Sequence, residues 1–222
     1  MNKSATYKLT LAALFSALAY LTVFILRIPF VPAVGFLKYE AKDAIIALEA
    51  LILGPSYGVI TSLVVSLVEM VTISETAIIG AIMNFISTVT FILPVGLMYK
   101  HNRTVKTAVL GLGIGSLLTT TTMMLWNYLI SPYYMGVSRE VIVSLLIPGF
   151  LPYNLVKSLI NACLTYLLYK PIITTLRRAG LLPESESEGG KNRGALTVTI
   201  ICSVIILLAI AGAIYLTVTQ KG

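Results

Sequence analysis

Polar side chains inside apolar sequence are the ones that could do chemistry, and FLPYNLVKSLIN at residues 150–161 carries three of them. Asn154, Lys157 and Asn161 are spaced i, i+3, i+7, which places them on one face of a helix. An ammonium in the apolar part of a bilayer costs ~2.5–3.5 kcal/mol on insertion scales, so Lys157 needs a partner or a wet cavity. If the helix begins near Gly149, with Pro148 and Pro152 in its first turn, Lys157 lies ~12 Å along the axis. Further candidates are Asn84 in AIMNFIS, the Trp126-Asn127-Tyr128 group closing a long apolar run, and Glu49 and Glu69 on the two halves of a broken one.

Each of these has a plainer use. Lys157 could snorkel to the interface, Asn127 and Tyr128 could be cap or aromatic-belt residues, and Asn84 could bond a neighbouring helix. Glu69, at the end of its segment, reads as a solvated boundary residue. Yet Asn84, Asn127, Asn154 and Lys157 fall toward one side of the membrane, together with the loop GFLKYEAKD at 35–43. Amides and a lysine at several helix ends describe a ligand vestibule. They can bond the carbonyl and imide edge of a heteroaromatic ring, on which tyrosine or tryptophan stacks. Other chemistry lacks its residues. The single histidine, His101, sits in a basic loop, and the chain has no HExxH, no Cys/His cluster and no Walker A sequence. Intramembrane hydrolysis and ATP hydrolysis by this chain are therefore set aside.

The elements that must position these groups are membrane helices. Of 222 residues, 57% are hydrophobic and only 11% charged, with mean hydropathy +0.92, whereas a soluble domain carries roughly 25% charge. The net charge of +7 sits in short clusters between apolar runs rather than in one patch, which argues for cytoplasmic loops and against nucleic acid. Cys163 and Cys202 lie in apolar segments and read as small core residues. The opening MNKSATYK could mimic a secretory signal, but apolar character continues through Ile25, as in a spanning helix.

Apolar segments run at 9–30, 43–71, 76–99, 105–131, 141–169 and 195–218. GPSYG at 54–58 interrupts the second and predicts two short elements, 43–53 and 57–71, meeting at a tight turn. With that split and a cytoplasmic N-terminus, the clusters at 100–106 and 177–193 lie inside. An unsplit segment with the N-terminus outside satisfies the charge rule equally, and GPSYG favours the split. Residues 183–194, PESESEGGKNRG, read as a flexible linker. The expectation is an all-α polytopic membrane protein: a six-helix core over 1–178, a linker over 179–194 and an additional transmembrane helix within 195–222. On the first helix, Ala13 and Ala17 form an AxxxA pattern that lets another helix approach closely, in the bundle or from a partner.

Taken together, FLKYEAKDAI, LGPSYGVI, GAIMNFIS, LWNYLISPYYMG and LPYNLVKSLINA resemble, in order and spacing, the substrate-binding S component of an energy-coupling factor (ECF) vitamin transporter. The resemblance covers about residues 7–178 and is strongest to the riboflavin-type S components. It implies a vitamin pocket near the extracellular side, both core ends in the cytoplasm of a plasma-membrane protein, and no cofactor beyond the transported flavin. It also implies a transmembrane coupling subunit docking on Ala13 and Ala17, and two cytosolic ATPases. In that reading Asn127, Tyr128, Asn154 and Lys157 meet the ligand, Asn84 lines the pocket, and Tyr39 and Glu40 cap it. Two departures from the riboflavin-type pattern, SLVEMVT and SETAIIGA, leave open another small vitamin as substrate. From the residues alone a self-sufficient carrier also stays open, with Glu49 or Glu69 as its proton site.

Overall fold

The computed structural model describes residues 3–29, 37–74, 76–180 and 193–219. Helix α1 (Lys3–Ile25) leads into a two-residue strand pair, β1 (Ile28–Pro29) antiparallel to β2 (Lys38–Tyr39). Then follow α2 (Lys42–Ile52), α3 (Pro55–Thr72), α4 (Ala77–His101) and α5 (Val105–Met135). A rod of α6 (Arg139–Leu145), one wide π turn (Leu146–Phe150) and α7 (Leu151–Arg178) completes the core, and α8 (Arg193–Thr219) follows. Among the described residues, five helical stretches are long and apolar enough to cross a membrane.

The expected break at GPSYG is present. Gly54 sits at φ 105°, a conformation open to glycine, and Pro55 occupies the first turn of α3, where its missing donor leaves no gap. The eleven residues of α2 rise only ~16 Å, too little to cross a ~30 Å hydrocarbon core alone. Such a helix persists where protein covers it, and nine of its residues are buried. Its apolar positions Ile46, Ala47, Ala50 and Leu51 join Ala19, Phe91, Ile92 and Val95 in the main core.

Two expectations about element ends are corrected. The helix carrying Lys157 does not start near Gly149. Pro152 does sit in the first turn of α7, as expected, but the helical rod continues back to Arg139, and the π turn takes up Pro148, whose missing N–H would leave a gap in a regular ladder. Helix α5 also runs on to Met135, past Pro132, and stops at left-handed Gly136.

Helices α4 and α5 approach closely along glycine. A β-carbon at Gly111 would lie 2.7 Å from the Val95 Cα, and one at Gly115 would collide with the Phe91 carbonyl. This contact matters to the site because α4 carries Asn84 and α5 carries Asn127. Helix α8 packs antiparallel on α7: Ile206 and Ala209 meet the cluster of Tyr39, Ala41 and Ile160. Cys163 and Cys202 are buried free thiols. Gly115→Val is expected to cost about 1–3 kcal/mol through overpacking and to lower the melting temperature in detergent. An unchanged value would contradict the close α4–α5 approach.

Candidate ligand site

The site is built where helix ends meet a short loop. Lys42 opens α2, two residues after Glu40, and its side chain is 1% exposed. Such a charge persists only with partners. Both carboxylate oxygens of Glu69 accept from it, at 2.7 and 2.6 Å, and Glu40 Oε2 lies 3.1 Å away. The Asn84 amide donates to Glu69 Oε2 at 2.9 Å, tying α4 to the same pair. On the outer side, Arg27 Nε lies 3.2 Å from Glu40 Oε1, and Arg27 Nη1 donates to the Ile73 carbonyl at 3.0 Å.

A second ion pair answers for Lys157. Its ammonium stands 3.5 Å from Asp43 Oδ2, and Asp43 also accepts from Thr88 at 2.6 Å and Asn161 at 3.3 Å. Lys157 is therefore paired inside the bundle rather than snorkelling outward. Asn161 meets the loop on its other side: the Tyr39 hydroxyl donates to its Oδ1 at 3.1 Å. The Tyr153 hydroxyl donates to the Lys38 carbonyl at 2.8 Å, pinning β2 against α7. Three cations (Arg27, Lys42, Lys157) thus stand among three carboxylates (Glu40, Asp43, Glu69). Burial pushes the Glu40 carboxyl up, but Lys42, Lys157 and Arg27 more than offset this and hold it below the ordinary carboxylate value. Burial, reinforced by Asp43, pushes the Tyr39 hydroxyl well above its usual value, so it remains a neutral donor.

These groups line a cleft at one end of the bundle. Glu40, Asn84, Asn127, Asn154 and Lys157 all border it, with Arg27 and Glu69. Asn127 donates to the Met123 carbonyl at 2.7 Å and accepts from Ser131 at 2.9 Å, while Asn154 donates to the Phe150 carbonyl at 2.8 Å. Tyr39 lies behind the wall, at Asn161. Tyr128 does not join the cleft; it is 37% exposed, with the Arg139 guanidinium 5.1 Å from its ring centroid. Ala13 and Ala17 are exposed on the outward face of α1. Glu49 is buried elsewhere, accepting from Thr61 at 3.0 Å, which in turn meets Ser16 at 3.1 Å.

The reading of Glu69 as a solvated boundary residue is overturned. It is 3% exposed and carries the tightest charge contact of the site. Lys42, Asp43 and Arg27 were also missed as site residues. The signal that could have found them is arithmetic: three cations and three acids flank apolar segments that leave no water to solvate them singly. The cleft's free space is about 50 Å³. That holds a few waters, far below the ~300–1,000 Å³ of a small-molecule pocket.

An apolar helical bundle with a charge-balanced polar cleft at one end has the build of a membrane protein that handles a small molecule. Residues 7–169 match the family described as ECF transporter, substrate-specific component, and the chain belongs to that family. It is 26% identical over 185 residues to the riboflavin transporter RibU of Staphylococcus aureus (strain TCH60), covering 80% of this chain and 96% of that one. Against the riboflavin transporter FmnP of Bacillus subtilis (strain 168) it is 26% identical over 184 residues, covering 78% and 96%. Among solved structures, the S component of a bacterial ECF transporter superposes with TM-score 0.67 at 26% identity, over 78% of this chain and 99% of the other. These relatives are transport proteins, and the chain is a membrane transport component rather than an enzyme.

Lys42→Met alone would leave Glu69 and Glu40 facing each other in a buried site, a loss of about 3–5 kcal/mol. Adding Glu69→Gln keeps an acceptor for Asn84 and removes one stranded charge. The double variant is expected to recover more than half of the lost melting temperature. A double variant no more stable than the single would show that the pair does not hold the site.

Proposed function

We propose that the chain captures riboflavin or a close flavin such as FMN in the cleft bordered by Glu40, Asn84, Asn127, Asn154 and Lys157. One observation carries this reading: three amides and an ammonium from α4, α5 and α7 converge at one end of the bundle, in a chain whose relatives bear the name riboflavin transporter. Amide and ammonium donors match the carbonyl and imide edge of an isoalloxazine ring. Loading requires the segment before α2 to lift. Its outer tie, Arg27–Glu40, is the more solvated pair, with Arg27 26% exposed, so it separates at lower cost than Lys42–Glu69.

In this reading the first helix begins in the cytoplasm of a plasma-membrane protein and the cleft opens to the outside. A transmembrane coupling subunit docks on Ala13 and Ala17, whose small side chains permit close approach, and two cytosolic ATPases drive release inward. A self-sufficient carrier is the weaker reading. Glu69 is bonded by Lys42 and Asn84 rather than free to shuttle a proton, and the family is named as one component of a transporter. One observation favours a different vitamin: Glu69 borders the cleft as an acid, where it would accept from a ligand richer in N–H or O–H donors.

The test is a fluorescence-quenching titration of purified protein with riboflavin and FMN, expected to give a Kd between nanomolar and micromolar. Lys157→Met combined with Asp43→Asn keeps the buried charge balanced and is expected to weaken binding at least tenfold, or about 1.4 kcal/mol, while melting stays cooperative. No quenching, together with a thermal shift from another water-soluble vitamin, would replace the flavin with that compound.

A further inference from the structure

The opposite end of the bundle holds a second cavity that the transport reading does not use. It lies between the start of α5, the end of α7 and the first half of α8, with about 860 Å³ of free space. Its inner wall is apolar, built by Ala108 and Leu112 of α5, Tyr166 and Leu167 of α7, and Leu196 of α8. In a bilayer the inner wall draws acyl chains rather than water, because Ala108, Leu112, Leu167 and Leu196 offer apolar contacts. Its mouth is different. Lys170 and Arg178 border it, both exposed, and among the described residues no acidic one lines it. Neither cation has an ion pair among the described residues.

Helix ends fix the depth of this mouth. Val105 begins α5, Arg178 ends α7, and α8 starts three residues before Leu196. Lys170 stands where the apolar run of α7 ends, the level of lipid phosphate, and Arg178 stands ~12 Å further along the axis at the helix end. Half of the lining lies beyond residue 169, the last residue matched to the family. The groove is thus a property of the appended helix and of the α7 end it packs on.

We propose that this groove binds one anionic phospholipid, with an acyl chain against Leu112, Tyr166 and Leu196 and its phosphate between Lys170 and Arg178. The lipid fills the space that α8 leaves open over α5 and α7, and so fastens the additional helix to the core. The apolar wall excludes a free phosphate as the whole ligand, and the paired cations select among headgroups.

Native mass spectrometry of the full chain, released from detergent with phosphatidylglycerol and phosphatidylcholine of matched acyl chains, tests this. One phosphatidylglycerol is expected to be retained at least fivefold over phosphatidylcholine. Lys170→Gln with Arg178→Gln changes two exposed side chains and is expected to abolish that excess without lowering the lipid-free melting temperature. Glycerol phosphate, which lacks acyl chains, is expected not to displace the bound lipid. Equal retention of the two lipids, an excess that survives in the double variant, or displacement by glycerol phosphate would each overturn the proposal.

Discussion

The rest of the structure depends on a cation with nowhere to go. Lys42 stands at the start of a helix too short to span a bilayer, 1% exposed, held between Glu69 and Glu40. Because an unpaired charge in that position is so unfavourable, α2 and α3 must meet there and the loop bearing Glu40 must fold down onto them. Asn84 then adds α4 through Glu69, and Asp43, next in sequence to Lys42, reaches α7 through Lys157. Four helices and one loop are joined by three cations and three carboxylates, and the apolar packing below needs only to bring them within reach.

The same arrangement makes the site responsive. A charge-balanced cluster is stable when closed, since every group has a partner, and it offers donors and acceptors when a ligand enters. A neutral heteroaromatic ligand with a polar edge can replace one tie without stranding a charge. The Arg27–Glu40 pair is the most solvated of these ties, and in the proposed reading it is the one that parts. In the proposed reading, a cleft with room for only a few waters is the closed form of such a site.

Much of this was legible in the residues. GPSYG marked the break between α2 and α3, and the spacing of Asn154, Lys157 and Asn161 put them on one face. The amides at 84, 127 and 154 were singled out because apolar surroundings leave an amide few uses. The rest was hidden for physical reasons. Lys42 and Asp43 adjoin an apolar run, where charges sit equally well in the interface, and only the fold reveals that the run is covered. Glu69 ends its helix, which by position alone means water. Pro148 reads as part of a helix start because a π turn, which also tolerates a missing donor, leaves no mark in a single sequence. Tyr128 follows Asn127 but points to another face, as adjacent residues on a helix do. Helix α8 carries no charge along its apolar run, so nothing in it showed which neighbour it would choose.

If the proposed capture is right, a ligand's polar edge takes over bonds that the charged groups now make with one another. A high-resolution structure of the flavin-loaded chain tests it most directly. Ligand heteroatoms are expected within hydrogen-bonding distance of Lys157 and of at least one of Asn84, Asn127 and Asn154, with Arg27 and Glu40 separated and Lys42–Glu69 intact. A ligand seated elsewhere in the bundle, or a cleft that stays closed with its ion pairs unchanged, would contradict it.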